Sequence, residues 1–392
     1  MTQFCYKLGD VNMIYLDSCG TTRPYKHVVD TMSDVAYNYW GNPSANYSIA
    51  DSARCRVEAA REKIANDINC KPANIIFTGS GCESNSLAIS GFIGYSTDFC
   101  IYSPSIEHTS ITEAVNFRNL STMQCEIPVN KYGEITADML DDCMAKNQKI
   151  MNRRALVTIA GANGEIGTIQ DLKALASVVH KHNGVFHSDC TQLYAERKLD
   201  VTELGVDMMS ISAQKIHGPR GASFLYVKDG IALKPIIYGS QEGKIRGGSY
   251  NTAAIVGMAK AIDLTREHNA SESIARLRDR MLASLLSIPN TKLNGPATDQ
   301  NRLSNHISLT IDGVDAETLV TLCDLHGVII AKGSACQSHY KVPSKALKAI
   351  GLTDEQAFST IRISLDEFNT QKEIDEAAKI ISKLVERIRS DE

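Results

Sequence analysis

Short apolar runs recur through the first two thirds of the chain: NIIFTG, FCIYS, ALVTIAG, GVFHSD, MMSIS and ASFLYVK. Each is separated from the next by an amphipathic or small-residue stretch. That rhythm of strand-length and helix-length segments predicts an α/β domain with a mostly parallel sheet. Several runs end in polar or glycine residues, at Gly79 to Glu83, at Asp189 and at Ser212 to Lys215. Ligands of open α/β sheets sit at the carboxyl ends of the strands. These residues are therefore expected on one edge of the sheet.

Beyond residue 251 the pattern changes. Two long helical stretches, TAAIVGMAKAIDLTREHN and SESIARLRDRMLASLLS, are followed by two alternating strands, NHISLTID and STIRISLDE, with helices between and after them. This part is expected to form a smaller α+β domain. The division expected is 15–255 for the large domain, with 1–14 and 256–392 forming the small one, which carries Cys336 and Arg362. A chain of 392 residues, 43% apolar and 22% charged, has room for two such cores and none of the bias of disorder. Its net charge of -4 offers no basic stripe for a phosphate backbone, so direct nucleic-acid binding is not expected. Neither a secretory signal nor a membrane span is expected, and eleven scattered cysteines fit a reducing cytoplasm better than a disulfide framework. No Cys-x-x-Cys pair occurs, so no metal site is expected.

The strongest local signal is SISAQKIHGPRG, residues 210–221, where Lys215 follows an apolar strand and precedes a Gly-Pro turn. A lysine there can hold an aldehyde cofactor covalently if its surroundings leave it partly neutral. Alone, it would be a solvated surface charge. Asp189, at the end of GVFHSD, is the type of carboxylate that keeps a pyridinium nitrogen protonated, although a turn cap would use the same residue. Gln192 is positioned to donate to a ring hydroxyl. In GSGCES, residues 79–84, a helix opens directly after a strand, and its free N–H groups favour an anion such as phosphate. In IRISL the alternation puts Ile361, Ile363 and Leu365 on one face and Arg362 with Ser364 on the other. The strand is thus expected to bury its apolar side and present a guanidinium suited to a carboxylate.

YLDSCGTT, GNPSA, FTGSGCESNSLAI, SIEHTSI, NGEIGTIQDL, HSDCTQ, SAQKIHGPRG, RGGSYNTAAIVG, GSACQS and IRISL occur in the order seen in cysteine desulfurases. The chain resembles that family, part of the class V aminotransferase group of fold-type I pyridoxal-phosphate (PLP) enzymes, from about residue 13 to 388. The resemblance implies that Lys215 carries PLP, that Asp189 pairs with its ring nitrogen, and that His108 stacks on the ring and moves protons. It further implies that Gln192 meets the ring hydroxyl and that Ser212, Gly81 and Cys82 form the phosphate cup. Ser249 matches a position contributed by the neighbouring subunit, which implies a homodimer with shared active sites. Arg362 is implied to grip the carboxylate of L-cysteine. Cys336, in the GSAC match on a small-residue loop, would take the sulfur as a persulfide and pass it to an acceptor protein. That acceptor could serve iron–sulfur cluster biogenesis, tRNA thiolation or DNA sulfur modification.

Departures from the pattern fall inside the cofactor site. Gln214 stands where the family usually has a histidine that helps hold the phosphate. Cys82 replaces a threonine, and Gly164 replaces a second asparagine, leaving Asn163 as a substrate-binding candidate expected to point elsewhere. Each lost donor costs about 1–3 kcal/mol if nothing replaces it. The first loop also differs, with Ser18, Cys19 and Gly20 where tyrosine, serine and alanine are usual. These departures keep open a selenocysteine lyase or other β-elimination enzyme on the same fold, and a weakened paralogue acting as a scaffold or sulfur relay.

Overall fold

The computed structural model describes residues 13–94, 96–117, 122–151, 153–297, 301–333 and 342–390. The chain divides into two compact units. The larger comprises Thr22–Asn163 and Ile169–Asn269. The smaller comprises Gly164–Thr168 and, among the described residues, 13–21 and 270–390.

In the larger unit seven strands form one sheet: β1 (Ile75–Thr78), β2 (Phe99–Pro104), β3 (Met123–Ile127), β4 (Arg154–Thr158), β5 (Val185–Asp189), β6 (Met208–Ser212) and β7 (Ser223–Val227). Their spatial order is β1-β7-β6-β5-β4-β2-β3. The pairs from β6 across to β3 are parallel, while β7 runs antiparallel to both β6 and β1. The apolar runs become strands because both faces are covered: β1, β6 and β7 are buried along their whole length. The edge strand β3, sequence MQCEI, has exposed residues in it and lacks that unbroken apolar signature.

The larger unit extends to Asn269, beyond the change of pattern in the sequence, because the helix Thr252–His268 packs on the helices Lys26–Asn38 and Ser48–Asp67. A Cβ at Gly257 would lie 2.6 Å from Met32 Cγ, so glycine lets the first two of these helices approach. Asn269, left-handed at φ 43°, ends the helix.

The smaller unit holds a four-stranded antiparallel sheet of β8 (Thr291–Leu293), β9 (His306–Ile311), β10 (Ala331–Lys332) and β11 (Thr360–Ser364), in the order β10-β11-β9-β8. Ile14–Tyr15 pairs separately, in parallel, with Val328–Ile329. One face of β9 and β11 meets the helix Gln371–Ser390, which supplies Ile374, Ala377, Ile381 and Leu384 at helical spacing. The alternation in these strands does not mark a solvent face, because every residue of both is buried. Some of their polar side chains satisfy one another or a neighbouring strand end instead. Thr310 and Thr360 hydroxyls lie 2.9 Å apart, and Asn294 Nδ2 donates to Thr310 Oγ1 at 3.0 Å. Among the described residues no helix is long and apolar enough to cross a membrane.

Ile363 sits in this core with none of its surface exposed. Ile363→Ala is expected to cost about 2–5 kcal/mol, the range for truncating a buried aliphatic side chain, read as a lower urea midpoint at unchanged slope.

Candidate active site

Parallel pairing of β5 with β6 sets Asp189 opposite Ser210, at the carboxyl end of the sheet. Two residues past Ser210 the chain leaves β6, and Lys215 closes a single turn, Ala213–Lys215. This turn is clamped from the N-terminal part of the unit. Thr22 donates through both its N–H and its hydroxyl, each at 3.0 Å, to the carbonyl of Gln214. The Thr22 hydroxyl also accepts from the His217 N–H at 2.8 Å. Gln214 thus contributes its main chain to holding the lysine loop.

Asp189 is fixed by two donors. Asn85 Nδ2 donates to Oδ2 at 2.8 Å and the Thr191 N–H to Oδ1 at 3.0 Å. Asn85 Nδ2 also donates to Ser110 Oγ at 2.9 Å. With its lone pair engaged by Asn85, the Ser110 hydroxyl turns its proton to His108 Nδ1, 2.8 Å away, and the Ser110 N–H points at the same nitrogen from 3.1 Å. His108 Nδ1 is therefore an acceptor, and the neutral ring carries its proton on Nε2. His108 is exposed, yet the protein around it lowers its pKa by desolvation, with Asp189 opposing and Lys215 reinforcing the shift. These three residues share one electrostatic neighbourhood.

Gly81 and Cys82 open the helix after β1, ahead of any intrahelical acceptor. A Cβ on Gly81 would come within 3.4 Å of Ser212 Cβ and 3.8 Å of Thr191 Oγ1, so a side chain would fill the cradle between them. Ser212 is buried and accepts from Ser223 Oγ at 3.1 Å. Glu83 braces this turn, accepting from the Gly79 N–H at 2.8 Å and from Arg246 Nε at 2.6 Å. Gln192 lies on the short helix Thr191–Glu196 directly after Asp189. Ser249 is exposed and lines a different groove, with Trp40, Asn42 and Tyr250. Asn163 is buried, and its Nδ2 donates to the carbonyl of Ile106 at 2.7 Å.

In the smaller unit Arg362 is 5% exposed, and this differs from the presented guanidinium expected of an alternating strand. Its Nη2 donates to Asp17 Oδ1 at 2.7 Å and its Nη1 to the carbonyl of Gly164 at 3.2 Å. Burial works against its charge, and Asp17, with Cys19 and Glu165, more than offsets this, so its pKa is raised. His306, buried and held neutral by desolvation and by the charges of Arg302 and Arg362, is 3.1 Å from the same Gly164 carbonyl through Nε2. Cys336 lies outside the described residues.

The family model of aminotransferase class V matches residues 14–377. The chain belongs to that family. The chain is 32% identical over 383 residues to "Cysteine desulfurase IscS" of Methanosarcina thermophila, covering 96% of this chain and 93% of that protein. Among solved structures it is similar to a "NifS-like protein" with a TM-score of 0.87 and 27% identity, covering 96% of this chain and 100% of the other. It is also similar to "SspA in complex with cysteine", with a TM-score of 0.78 and 29% identity over 91% of this chain and 100% of that one.

The cofactor of this family is PLP, and the larger unit fits it. Asn85 Oδ1, Glu107 Oε2 and Thr191 Oγ1 are buried without a partner among the described residues. The first and last belong to the residues that hold Asp189, and the charge of Asp189 acts on Glu107. Such orphaned polar atoms signal a missing polar ligand. An amine, a carboxylate, hydroxyls and helix-start N–H groups are the donor set that an aldehyde, a pyridinium ring and a phosphate require.

Asn85, Ser110 and Glu107 are absent from the sequence expectations. Asn85 falls one helical turn beyond Gly81 in GCESNS, and Glu107 precedes His108, so proximity to motif residues was the available signal. Glu107 is 9% exposed, accepts from the Ala160 N–H at 2.8 Å, and is pushed up by burial from 4.5 to about 8. The native state thus binds its proton more tightly than the unfolded chain. Stability from this group is full below about pH 4.5 and is lost as pH rises through about 8. Urea titrations across that window should show a falling stability in the native sequence and a flatter profile in Glu107→Gln.

Proposed function

We propose that this chain is a PLP-dependent cysteine desulfurase, converting L-cysteine to L-alanine and passing the sulfur through a persulfide on Cys336 to an acceptor protein. The observation that carries this reading is the shared neighbourhood of Lys215, Asp189 and His108 at one end of the sheet, in a chain like proteins named cysteine desulfurase and one solved with cysteine.

Lys215, Asp189, Gln192, His108, Ser212, Gly81, Cys82 and Gln214 are the residues that would hold PLP. Bound there, the cofactor supplies an electron sink for the carbon skeleton of the substrate. Asp189, oriented by Asn85 and the Thr191 N–H, is the partner of the ring nitrogen. Gly81, Cys82 and Ser212 receive the phosphate at the helix start. Lys215 Nζ takes the α-proton, and His108 Nε2, which carries the ring's proton because Ser110 donates to Nδ1, acts as the proton donor. Arg362 receives the substrate carboxylate through its planar fork. The Cys336 thiolate attacks the substrate sulfur; an S–S bond forms as the Cβ–S bond breaks, and the carbon is protonated to give alanine.

Asn163 is a substrate-binding candidate anchored by its Nδ2 to the Ile106 carbonyl. Ser249, exposed in its own groove, serves the neighbouring active site of a homodimer. Likeness to a protein named IscS supports iron–sulfur cluster biogenesis as the pathway, and nine free cysteines among the described residues support the cytoplasm.

Cys336→Ser should keep the yellow cofactor while abolishing sulfide release from L-cysteine with a reductant present. Lys215→Ala should lose the visible absorbance of bound cofactor. Full sulfide release by Cys336→Ser would overturn the role of that cysteine, and absence of cofactor absorbance in the native protein reconstituted with PLP would overturn the enzyme reading.

A further inference from the structure

The turn after Tyr15 is wound unusually tightly against β11. Ser18 N–H donates to the Ser364 carbonyl at 3.1 Å, the Cys19 N–H to Ser364 Oγ at 2.8 Å, and Ser18 Oγ to Asp366 at 3.0 Å. The Asp17 carbonyl is gripped from three sides, by the Gly20 N–H at 2.8 Å, the Thr21 N–H at 3.3 Å and the Tyr15 hydroxyl at 3.0 Å. The main chain at Asp17 is therefore fixed, and only its side chain is free to choose a direction. It folds back over residue 20 and reaches Arg362.

That direction exists because residue 20 is glycine. A Cβ built there would lie 2.3 Å from Asp17 Oδ2 and 2.9 Å from its Cγ, closer than real Cβ contacts come. Gly20 is not among the residues with positive φ, so space and not backbone conformation is what the position demands. At the other end of the contact, Arg362 is more than nine-tenths buried, and its Nε has no partner among the described residues. The guanidinium has given Asp17 one donor of its fork and the Gly164 carbonyl another, and it retains a buried donor for a further acceptor.

We propose that Asp17 is an internal stand-in for the substrate carboxylate, held on Arg362 because residue 20 is glycine, and that the two residues set how tightly the enzyme binds an amino-acid carboxylate. This rests on the reading of Arg362 as the carboxylate receptor. When substrate arrives, Nη2 exchanges one carboxylate oxygen for another, and the Asp17 side chain, 22% exposed, turns to water. No charge is left unpaired at either stage. The apparent affinity for substrate is lowered by the fraction of molecules in which Asp17 occupies the fork.

The test is steady-state kinetics of alanine formation on the PLP-loaded full chain. Gly20→Ala should evict Asp17 and lower the KM for L-cysteine by roughly three- to tenfold, the net scale of one ordinary hydrogen bond, with a smaller change in kcat. Inhibition by L-alanine, which carries the same carboxylate without the sulfur, should tighten by the same factor. Asp17→Asn should act in the same direction, and the double variant should gain no more than either single one, since both remove the same competitor. Should Asp17→Asn fail to fold for want of a counterion, Gly20→Ala carries the test alone, with its melting temperature as the control. An unchanged or raised KM in folded Gly20→Ala overturns the proposal, as do additive effects in the double variant. Arg362→Lys separates the two levels. If it leaves KM and alanine inhibition untouched, the carboxylate-receptor reading fails; if it raises both while Gly20→Ala lowers neither, only the role of Asp17 and Gly20 fails.

Discussion

Parallel pairing of β4, β5 and β6 is the constraint on which the rest of the larger unit depends. It brings successive strand ends to one edge, so that residues far apart in sequence arrive together without any loop having to be long. Asp189 and Ser210 are register partners, and Ser212 ends the strand that holds Ser210. Once the strands are in register, the carboxylate, the cup hydroxyl and the lysine turn have little freedom left. The covered faces enforce that register, because a one-residue slip would exchange the two faces of each strand.

Around this frame the polar side chains form a layer in which orientation is passed along by hydrogen bonds. Asn85 uses both amide hydrogens, one on Asp189 and one on Ser110, and Ser110 is thereby committed to His108. A chain of this kind decides which nitrogen of an imidazole carries the proton. Glu107 is handled differently: burial holds it neutral close to Asp189, which avoids two adjacent carboxylates competing for the same cations.

The order of apolar runs made the sheet legible, because strands covered on both faces leave an unbroken apolar signature. β3 escaped that reading because an edge strand with exposed residues lacks it. The motif residues of the larger unit were legible as a group, through glycines, a lysine and a carboxylate at strand ends. Asn85 and Ser110 were not, since a polar residue that spends its hydrogen bonds inside the protein has no periodicity that separates it from a solvated one on the same helix. In β11 the alternation was read correctly as two faces, but sequence does not tell whether the polar face meets water. There it meets Asp17 and Gly164, contributed by segments remote in the chain.

β7 is the one strand of the large sheet that runs against its neighbours. The lysine therefore sits in a hairpin and not in a helical crossover: Ser212 and Ser223 are paired across its mouth, and their hydroxyls touch. The attachment point for the cofactor is closed at its base within a single local ladder. Insertions in the helical crossovers could accumulate on the surface without moving Lys215, whereas one residue gained or lost between Ser212 and Lys215 would displace the lysine from the cup hydroxyl. Variation in length among proteins of this architecture should thus be crowded into the crossovers and excluded from this hairpin.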